Sequence, residues 1–492
     1  MKHIKRLPLY STTQGRFGDA EKDVYLHNCY PERLKTGEEG DGSSIHVDWV
    51  VKRPGMLSVG DTDATLSTAT RGSFYWEETD KCYFARGNLL YDVNAAGTIS
   101  TVTTATLSSS TGSVYISDFD SGTEKLVIND GNNELYTLQT DGTLTLQTDT
   151  SINASIAPGV AVIDGYWLFM GGDSDMFIYN STTAFEAAAD MAWSSADEAR
   201  IQLYPGSGKY LTRHLNYVAV FTDKSMEFFY NAGNATGSPF SRADGTLRQV
   251  GTHWPDTIKR YADNLIFLAN TTVGPKVCLL DGLQIKYVST TPIEKILTSE
   301  ANALDGAYGD IIDHAGQVFY LLQLPELSRT LVWSVRTEHW TEWNYYNGST
   351  YGKFPYRHFV YHPTAAKTFA MHDTTGEVFQ FDAGTFQDDG NQIRTRIQTA
   401  NIDFETRQQK FLWSLALVGD EVSSVTFDYS DDDYNNYVTK GTSSATAGKP
   451  VWFANGSFAR RAFRFTHTAN ESFRQESMEL GMDLGHYANG DD

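Results

Sequence analysis

The sequence predicts an all-β fold whose main part is a β-propeller of six to eight blades, with an N-terminal arm before it and a C-terminal β-sandwich after it. The first observation is the composition: 13% of the 492 residues are aromatic, 41 are glycine and only 20% are charged. This balance favours aromatic-rich strands joined by tight turns. The second observation is a pair of strands that recurs seven times, at intervals typical of a four-stranded propeller blade.

The N-terminal arm, residues 1–60, lacks the recurring pair. We expect it to dock on its own propeller or on a neighbouring subunit. Its first residues, MKHIKRLPLYSTTQG, carry the positive charge of a signal peptide, but no apolar stretch follows them, and no run of 18 apolar residues occurs in the chain. The sequence therefore predicts a soluble protein that is made in the cytoplasm.

The propeller is predicted over residues 61–386. The second strand of each pair marks the repeat, and the seven markers are LYDV at Leu90, LYTL at Leu135, MFIY at Met176, MEFF at Met226, VCLL at Val277, LVWS at Leu331 and VFQF at Val378. Their starts are 45, 41, 50, 51, 54 and 47 residues apart. The strands that precede them are KCYFAR, KLVIN, YWLFM, YVAVF, NLIFLA, QVFYLL and KTFAM.

Turns rich in Gly, Asp and Asn, such as Asp141-Gly142 and Asp281-Gly282, follow the markers. Antiparallel hairpins require such residues at positions with positive φ. Seven strand pairs are counted, so six, seven or eight blades are all compatible with the sequence. A long β-sandwich or a solenoid made of the same strands is the alternative architecture.

Helix signals are few. The segment TPIEKILTSEANALDG predicts a helix over residues 292–305, inserted between two blades. Thr291 can cap it, Glu294 completes a capping box and Gly306 can end it. The segment from Thr183 to Arg200 is a second, Ala-rich candidate with weaker caps.

The C-terminal part, residues 387–492, has a different pattern. Alternating strands such as IRTRIQTANIDF, KFLWSLALVG, SVTFDYS and RRAFRFTHT follow a linker, DDGNQ, and predict a separate β-sandwich.

The net charge of −22 argues against tight binding of nucleic acid, because a protein that grips DNA by releasing counterions needs a basic surface. An acidic wall suits a conduit, since it does not trap the polymer in phosphate contacts. The three cysteines, Cys29, Cys82 and Cys278, are few and far apart, so we interpret them as buried small apolar residues.

Three groups of residues could carry chemistry. His358 and His362 lie four apart, but a strand would separate them by about 13 Å, too far for one zinc ion. Glu338 and Glu342 share one face of a strand in RTEHWTEWNYY and could in principle act as acid and base.

The third group is the segment SDDDYNNY, which resembles a degenerate Asp-box turn of sialidases. Asp431 to Asp433 could hold calcium through oxygen ligands, or form a solvated acidic hairpin tip. No catalytic, cofactor-binding or metal-binding residue is assigned to the chain.

Three stretches resemble the tail-hub proteins of short-tailed bacteriophages, also called head-completion or packaged-DNA-stabilisation proteins. They are LPLYSTTQGRFGDAEKDVYLHNCYPE with Arg53-Pro54-Gly55, the central NLIFLANTTVGPKVCLLDGLQIKYVSTTPIEKILTS, and the strand around Arg460 to Phe465. The central block is the most specific, and together the three cover about a quarter of the chain.

The resemblance implies a structural, non-enzymatic virion protein, six copies of which form a tail hub or nozzle ring. This ring would extend the DNA exit channel and help to retain packaged DNA. The implied partners are further copies of the chain, a tail adaptor below the portal, and distal plug, needle, spike or fibre proteins, with double-stranded DNA as a passing cargo. Two rival functions stay open: a propeller enzyme acting on host polysaccharide, and a module that binds such a polysaccharide as a receptor.

Overall fold

The computed structural model describes residues 3–9, 24–38, 44–61, 70–102, 105–120, 124–152, 155–172, 177–201, 204, 206–444 and 449–485. Much of the first stretch that carries the resemblance, residues 10–23, lies outside these ranges, as does Met176 at the start of one marker.

The first five strands precede the repeat. They are β1 (His3–Pro8), β2 (Tyr25–His27), β3 (Cys29–Glu38), β4 (Ser44–Lys52) and β5 (Gly55–Asp61).

Seven antiparallel sheets follow in chain order, and each is one propeller blade. Blade 1 contains β6 (Thr70–Trp76), β7 (Lys81–Arg86), β8 (Leu89–Asn94) and β9 (Ile99–Thr101). Blade 2 contains β10 (Tyr115–Phe119), β11 (Lys125–Asn129), β12 (Leu135–Gln139) and β13 (Leu144–Leu146). Blade 3 contains β14 (Gly159–Ile163), β15 (Tyr166–Met170), β16 (Phe177–Ser181) and β17 (Trp193–Arg200).

Blade 4 contains β18 (Gly208–His214), β19 (Tyr217–Thr222), β20 (Met226–Asn231) and β21 (Phe240–Arg242). Blade 5 contains β22 (Lys259–Tyr261), β23 (Asn264–Thr271), β24 (Gly274–Asp281) and β25 (Gln284–Tyr287). A short helix, α1 (Thr291–Leu297), leads to blade 6, which contains β26 (Tyr308–His314), β27 (Gln317–Leu324), β28 (Arg329–Ser334) and β29 (His339–Glu342). A hairpin of β30 (Asn344–Tyr346) and β31 (Tyr351–Lys353) precedes β32 (Tyr356–His362), β33 (Lys367–His372) and β34 (Glu377–Asp382) of blade 7.

Blade 7 takes its fourth strand from the beginning of the chain. β5 pairs antiparallel with β34, from Gly55 opposite Asp382 to Asp61 opposite Glu377. The short strands β35 (Gln387–Asp388) and β36 (Asn391–Gln392) extend the same sheet. The propeller is therefore closed by two segments that lie more than 300 residues apart in sequence.

The predicted strand pairs are confirmed: in every blade the first and second strands of the pair are the two central strands of the sheet. Their hairpins and flanking turns use residues that tolerate positive φ, as at Gly282, where φ is 57°. Alternate side chains of neighbouring blades meet in apolar layers, such as the layer between blades 1 and 2 that contains Tyr83, Leu126 and Ile128. Seven such sheets make the all-β propeller that the sequence predicts.

The remaining strands form two packed sheets. They are β37 (Thr395–Gln398), β38 (Lys410–Gly419), β39 (Ser424–Ser430), β40 (Val438–Ser444), β41 (Val451–Phe453), β42 (Ser457–Phe458), β43 (Ala462–His467) and β44 (Arg474–Leu484). One sheet has the order β3-β4-β44-β38-β41, with β1 also on β44 and β42 on β38, and the other has the order β2-β37-β43-β39-β40. The core between them includes Leu415, Phe427, Phe465 and Leu480.

The N-terminal strands pair mainly with this C-terminal part of the same chain, a partner that the sequence did not predict for the arm. β1 and β4 pair with β44, and β2 pairs with β37 on one side and with β29 of blade 6 on the other. β2 thus connects the C-terminal sheets to the propeller.

Helix α1 is shorter than the predicted helix over residues 292–305. It ends at Leu297, where the hydroxyl of Thr298 donates to the Glu294 carbonyl (2.9 Å) and that of Ser299 donates to the Ile296 carbonyl (2.8 Å). These side chains satisfy carbonyls of the last turn, which favours an end there. The N-cap position is Thr290, not Thr291, and it makes no side-chain capping bond.

The second predicted helix, Thr183 to Arg200, is wrong. Its second half is β17, which pairs with β16 as the outer strand of blade 3. The ladder hydrogen bonds of a blade outweigh the helix propensity of its alanines. Two short 3₁₀ helices, Glu77–Thr79 and Pro255–Thr257, complete the elements, and no helix in the described ranges is long and apolar enough to cross a membrane.

Candidate functional site: the axial cavity of the propeller

The first strands of all seven blades, β6, β10, β14, β18, β22, β26 and β32, surround a cavity of about 690 Å³ at the propeller axis. β14 and β18 bridge directly in parallel, so neighbouring inner strands run in the same direction and present corresponding positions at the same end of the cavity. Many residues that line the cavity are charged or aromatic.

The innermost polar cluster joins blades 6 and 7. The Tyr308 hydroxyl donates to Asp310 Oδ2 (2.8 Å) and lies 3.1 Å from His358 Nδ1, while the His358 backbone N–H donates to the same carboxylate oxygen (2.6 Å). All three residues are buried. Burial raises the pKa of Asp310 and of Tyr308. Burial, and then the charges of Lys259 and Arg357, hold the pKa of His358 well below its usual range.

His358 occupies a strained position. Its φ is 58°, in the left-handed region, at a register shift between β32 and β33. The bulge turns the imidazole toward the axis, where it also hydrogen-bonds the Thr70 backbone of blade 1. One neutral imidazole therefore contacts blades 6 and 1 from within blade 7, at the point where the propeller closes.

A second polar contact joins blades 2 and 5 across the axis. The Tyr115 hydroxyl donates to Asp256 Oδ1 (2.5 Å), and the Tyr115 ring meets the Tyr210 ring of blade 4 edge to face, with centroids 5.6 Å apart. Burial, followed by the Asp256 charge, raises the pKa of Tyr115 well above its ordinary value. Tyr115 is in the inner strand β10, and Asp256 is in the short 3₁₀ helix that precedes the inner strand β22, so this contact fixes blades 2 and 5 relative to one another.

His362, the other histidine of the predicted pair, contacts a different part of the chain. It lies in the same strand as His358, as predicted, but its Nε2 is 3.0 Å from the Asp80 carbonyl of blade 1. Within the described ranges, no three His, Cys, Asp or Glu side chains lie close enough together to hold a metal ion.

The two candidate carboxylates have different surroundings. Glu342 is buried and accepts both Nε (2.8 Å) and Nη2 (2.9 Å) of Arg329, and the Tyr25 hydroxyl also donates to it (2.7 Å). Burial, the largest single effect, would raise its pKa, but the charge and hydrogen bonds of Arg329, together with His27 and the Tyr25 hydroxyl, outweigh it and lower the pKa to about 2.

Glu338 is not on that strand at all. It lies in the preceding turn with φ 52°, exposed, and pairs with Lys286 of blade 5. The predicted shared face is therefore wrong, because a tight turn places the backbone of Glu338 outside the pleat. Glu342 is ionised and connects blade 6 of the propeller to β2. Neither Glu338 nor Glu342 lines the axial cavity.

The acidic tip at Asp431 to Asp433 is occupied by protein donors. Arg461 binds both oxygens of Asp431 (2.7 Å each), Asp432 accepts from Ser430 and Asn436, and Asp433 accepts from Asn401 (2.8 Å). These hydrogen bonds provide a structural account of the segment.

The cysteines match their predicted role. Cys29, Cys82 and Cys278 are free and buried. Burial raises the pKa of each, to about 12 for Cys82 and Cys278. Such thiols are weak nucleophiles at neutral pH.

Sequence reasoning singled out His358 but missed Tyr308, Asp310, Tyr115 and Asp256. The available signal is a tyrosine or a carboxylate inside a short apolar strand. Examples are AYGDII, which includes the start of β26, and VYISDF, which includes β10. That signal does not reveal which blades the residues join.

A protein-family model described as "Bacteriophage P22 Gp10, beta-propeller" matches residues 44–385. Among solved structures, a streptogramin B lyase is similar over 72% of this chain and 97% of its own, with 12% identity and a TM-score of 0.42. The WD40 domain of Neurospora crassa Pan2 is similar over 68% of this chain and 94% of its own, with 9% identity and a TM-score of 0.41. A search of curated proteins finds no match.

The family match runs from β4 to just past β34 and includes all seven blades together with the strand that closes them. It covers well over half of the sequence and agrees with the resemblance found in the three stretches. The chain belongs to the bacteriophage P22 Gp10 β-propeller family of phage DNA-stabilisation proteins.

Proposed function

We propose that this chain is a structural component of the virion tail, that six copies assemble into a hub or nozzle ring extending the DNA exit channel, and that the ring helps to retain packaged DNA. The observation that supports this most directly is the family match over residues 44–385. The role is mechanical, and it requires rigid subunits and stable contacts between them, with no catalysis.

The closure of the propeller supports a mechanical role. β5 completes blade 7, so a sheet edge that would otherwise be free is paired within the chain. The Arg86 guanidinium is buried and donates to Asp61 at the end of β5 (2.9 Å) and to the Thr375 carbonyl of blade 7. A subunit whose ends are joined in this way resists separation of its first and last blades.

The charge supports passage of DNA without retention by the wall. A net charge of −22 disfavours phosphate contacts, so DNA can slide through a ring of such subunits. In this proposal the DNA channel lies on the ring axis, between the copies, and is distinct from the cavity on the axis of each propeller.

The proposed partners are a tail adaptor below the portal on one side and distal plug, needle, spike or fibre proteins on the other. The protein would assemble in the host cytoplasm and act in the virion tail, with double-stranded DNA as passing cargo and no insertion into a membrane. The glycan-enzyme alternative was suggested by Glu338, Glu342 and the aromatic residues, and the two carboxylates lie in different environments, which favours the structural role.

Native mass spectrometry of the full chain, alone and with its adaptor, tests the ring. We expect a species of six times the 54.8 kDa subunit mass, at least in the presence of the adaptor. Monomers alone under both conditions would contradict the proposal. Incubation of the protein with purified host polysaccharide should release no reducing ends. If reducing ends are released, and the Glu338→Gln variant no longer releases them, the enzyme function would be favoured instead.

A further inference from the structure

Two arginines lie side by side on adjacent blades of the propeller. Arg213 is near the end of β18 in blade 4, and Arg260 is in β22 of blade 5. Arg260 Nη2 donates to the Arg213 carbonyl, and Arg213 Nε donates to the Leu215 carbonyl (3.1 Å). Neither guanidinium forms an ion pair with any residue in the described part of the chain, although the sequence has 61 acidic and only 39 basic residues.

This pair lines two connected features. Both arginines line the axial cavity of the propeller, and both also line a groove of about 650 Å³ between the hairpin tips of blades 4 and 5. The tips are formed by Leu215-Asn216 and by Ala262-Asp263. Burial lowers the pKa of Arg260 and the Arg213 charge lowers it further, while Tyr210, Asp263 in the groove and Asp118 in the cavity oppose the shift. An anion between them would relieve this repulsion.

Exposed apolar side chains lie at the same end of the propeller. Leu215 is 38% exposed in the groove, and Phe185 and Tyr361, which line the axial cavity, are 58% and 48% exposed. Phe185 lies flat over Gly165, where an added Cβ would be 2.7 Å from its ring, so the ring is held at this end. Aromatic residues and arginines on one surface are typical of protein-binding hot spots.

We propose that this end of the propeller, defined by Arg213, Arg260, Leu215, Phe185 and Tyr361, binds an acidic and apolar peptide segment of a partner protein. Carboxylates of the segment would accept the guanidinium N–H groups, and its apolar side chains would pack on Phe185 and Tyr361. This inference does not rest on formation of the ring.

The surrounding charges favour a peptide over DNA. Five carboxylates line the same cavity, and the charge of one of them, Asp118, acts on Arg260; they are Asp118, Asp120, Asp164, Asp256 and Asp310. A continuous polyphosphate would meet these carboxylates and the net charge of −22, whereas a short segment can place its few carboxylates on the arginines alone.

Fluorescence anisotropy with the full chain tests this inference. The probe is a fluorescein-labelled peptide of alternating Glu and Leu, titrated at protein concentrations up to about 1 mM. We expect saturable binding that the double variant Arg213→Gln/Arg260→Gln weakens by about tenfold or more. The matched control, Arg336→Gln, removes an exposed arginine from a turn of blade 6 and should change the affinity by less than about twofold.

Three further arms complete the test. The same peptide with Lys in place of Glu should not bind, and a labelled DNA duplex should not bind with the same dependence on the arginines. The Arg213 side chain donates to the Leu215 carbonyl of its own hairpin, so if the double variant does not fold, the single variant Arg213→Gln should also weaken binding. Lack of binding by the Glu peptide, binding unchanged in the variants, or arginine-dependent binding of DNA would each overturn the proposal.

Discussion

Arg53 and Asp388 form a buried, two-pronged ion pair that ties the segment before β5 to the segment after blade 7. Arg53 Nη1 is 2.9 Å from Asp388 Oδ1 and Nη2 is 2.5 Å from Oδ2, and both side chains are essentially inaccessible to solvent. Arg53 Nε also donates to Asn28 (3.0 Å), and the guanidinium lies 4.7 Å from the centre of the Phe354 ring. The pair therefore lies where the N-terminal strands, the propeller and the C-terminal sheets meet.

Replacing Arg53 should destabilise the protein strongly. Arg53→Met would leave the Asp388 carboxylate buried without its partner, and we expect a loss of about 3–5 kcal/mol in the free energy of unfolding. Urea denaturation followed by tryptophan fluorescence measures this. Arg460→Met removes an arginine from a pair with Asp433 in which both side chains are about half exposed, and it should cost less than about 1 kcal/mol. Equal effects of the two variants would show that burial of the Arg53 pair is unimportant.

Glu342 should make stability depend on acid pH. Its folded-state pKa, about 2, lies below the ordinary value of 4.5, so its contribution is fully present above pH 4.5 and is lost as the pH falls toward 2. Glu342→Gln should therefore cost about 3 kcal/mol at pH 7 and much less at pH 2. Denaturation curves at both pH values measure the difference.

The control for Glu342 is the other carboxylate of the predicted pair. Glu338→Gln, in an exposed turn, should leave the denaturation midpoint nearly unchanged at either pH. A pH-independent cost of Glu342→Gln would mean that its carboxylate stabilises the fold by shape alone.

The blades could be predicted because each is a local unit. The marker VCLL at Val277 and its partner NLIFLA are neighbours in sequence and adjacent strands in blade 5, so hydrophobic pattern and turn residues are sufficient to identify them. The pairing of Gly55 with Asp382 could not be predicted in this way, because nothing in a strand's own pattern specifies a partner more than 300 residues away.

The candidate site was harder to predict for the same reason. Tyr308 and Asp310 are on β26 of blade 6 and His358 is on β32 of blade 7, so the contact of the histidine with the other two exists only after the two blades pack around the axis. His358 also depends on a bulge that turns its side chain, and such a bulge has no clear signature in the sequence RHFVYH.

Because of His467, the free energy of unfolding should decrease as the pH falls from 7 to 5. Burial lowers its pKa from 6.5 to about 4, although a hydrogen bond to Glu471 opposes the shift. Between these pH values the unfolded chain binds a proton that the folded chain does not, so stability falls as the pH drops below 6.5. His467→Phe should keep the stacking on Phe473, whose ring centre lies 4.7 Å away, and remove this proton uptake.

The measurement is the change in unfolding free energy between pH 7 and pH 5, each protein serving as its own reference at pH 7. We expect the parent chain to lose about 1–2 kcal/mol more than His467→Phe over this interval. Identical losses would mean that the imidazole titrates with the same pKa in the folded and unfolded states.

Gly55 allows the closing strand to pass close to the segment after blade 7. A Cβ added at Gly55 would lie 2.1 Å from the carbonyl oxygen of Gln387 and 2.7 Å from its nitrogen, and both are backbone atoms that cannot rotate away. Gly55→Ala should therefore push β5 away from the backbone of Gln387 in β35, disturb the pairing of β5 in blade 7 and lower the free energy of unfolding by about 2–3 kcal/mol or more. Gly352→Ala is the matched control, because a Cβ there would meet no atom within 4 Å and its φ is not in the left-handed region.

If closure by β5 holds the propeller together, Gly55→Ala should also expose the segment around β5 to limited proteolysis, whereas Gly352→Ala should be digested like the parent chain. Equal digestion of all three proteins would mean that blade 7 remains closed without the close approach at Gly55.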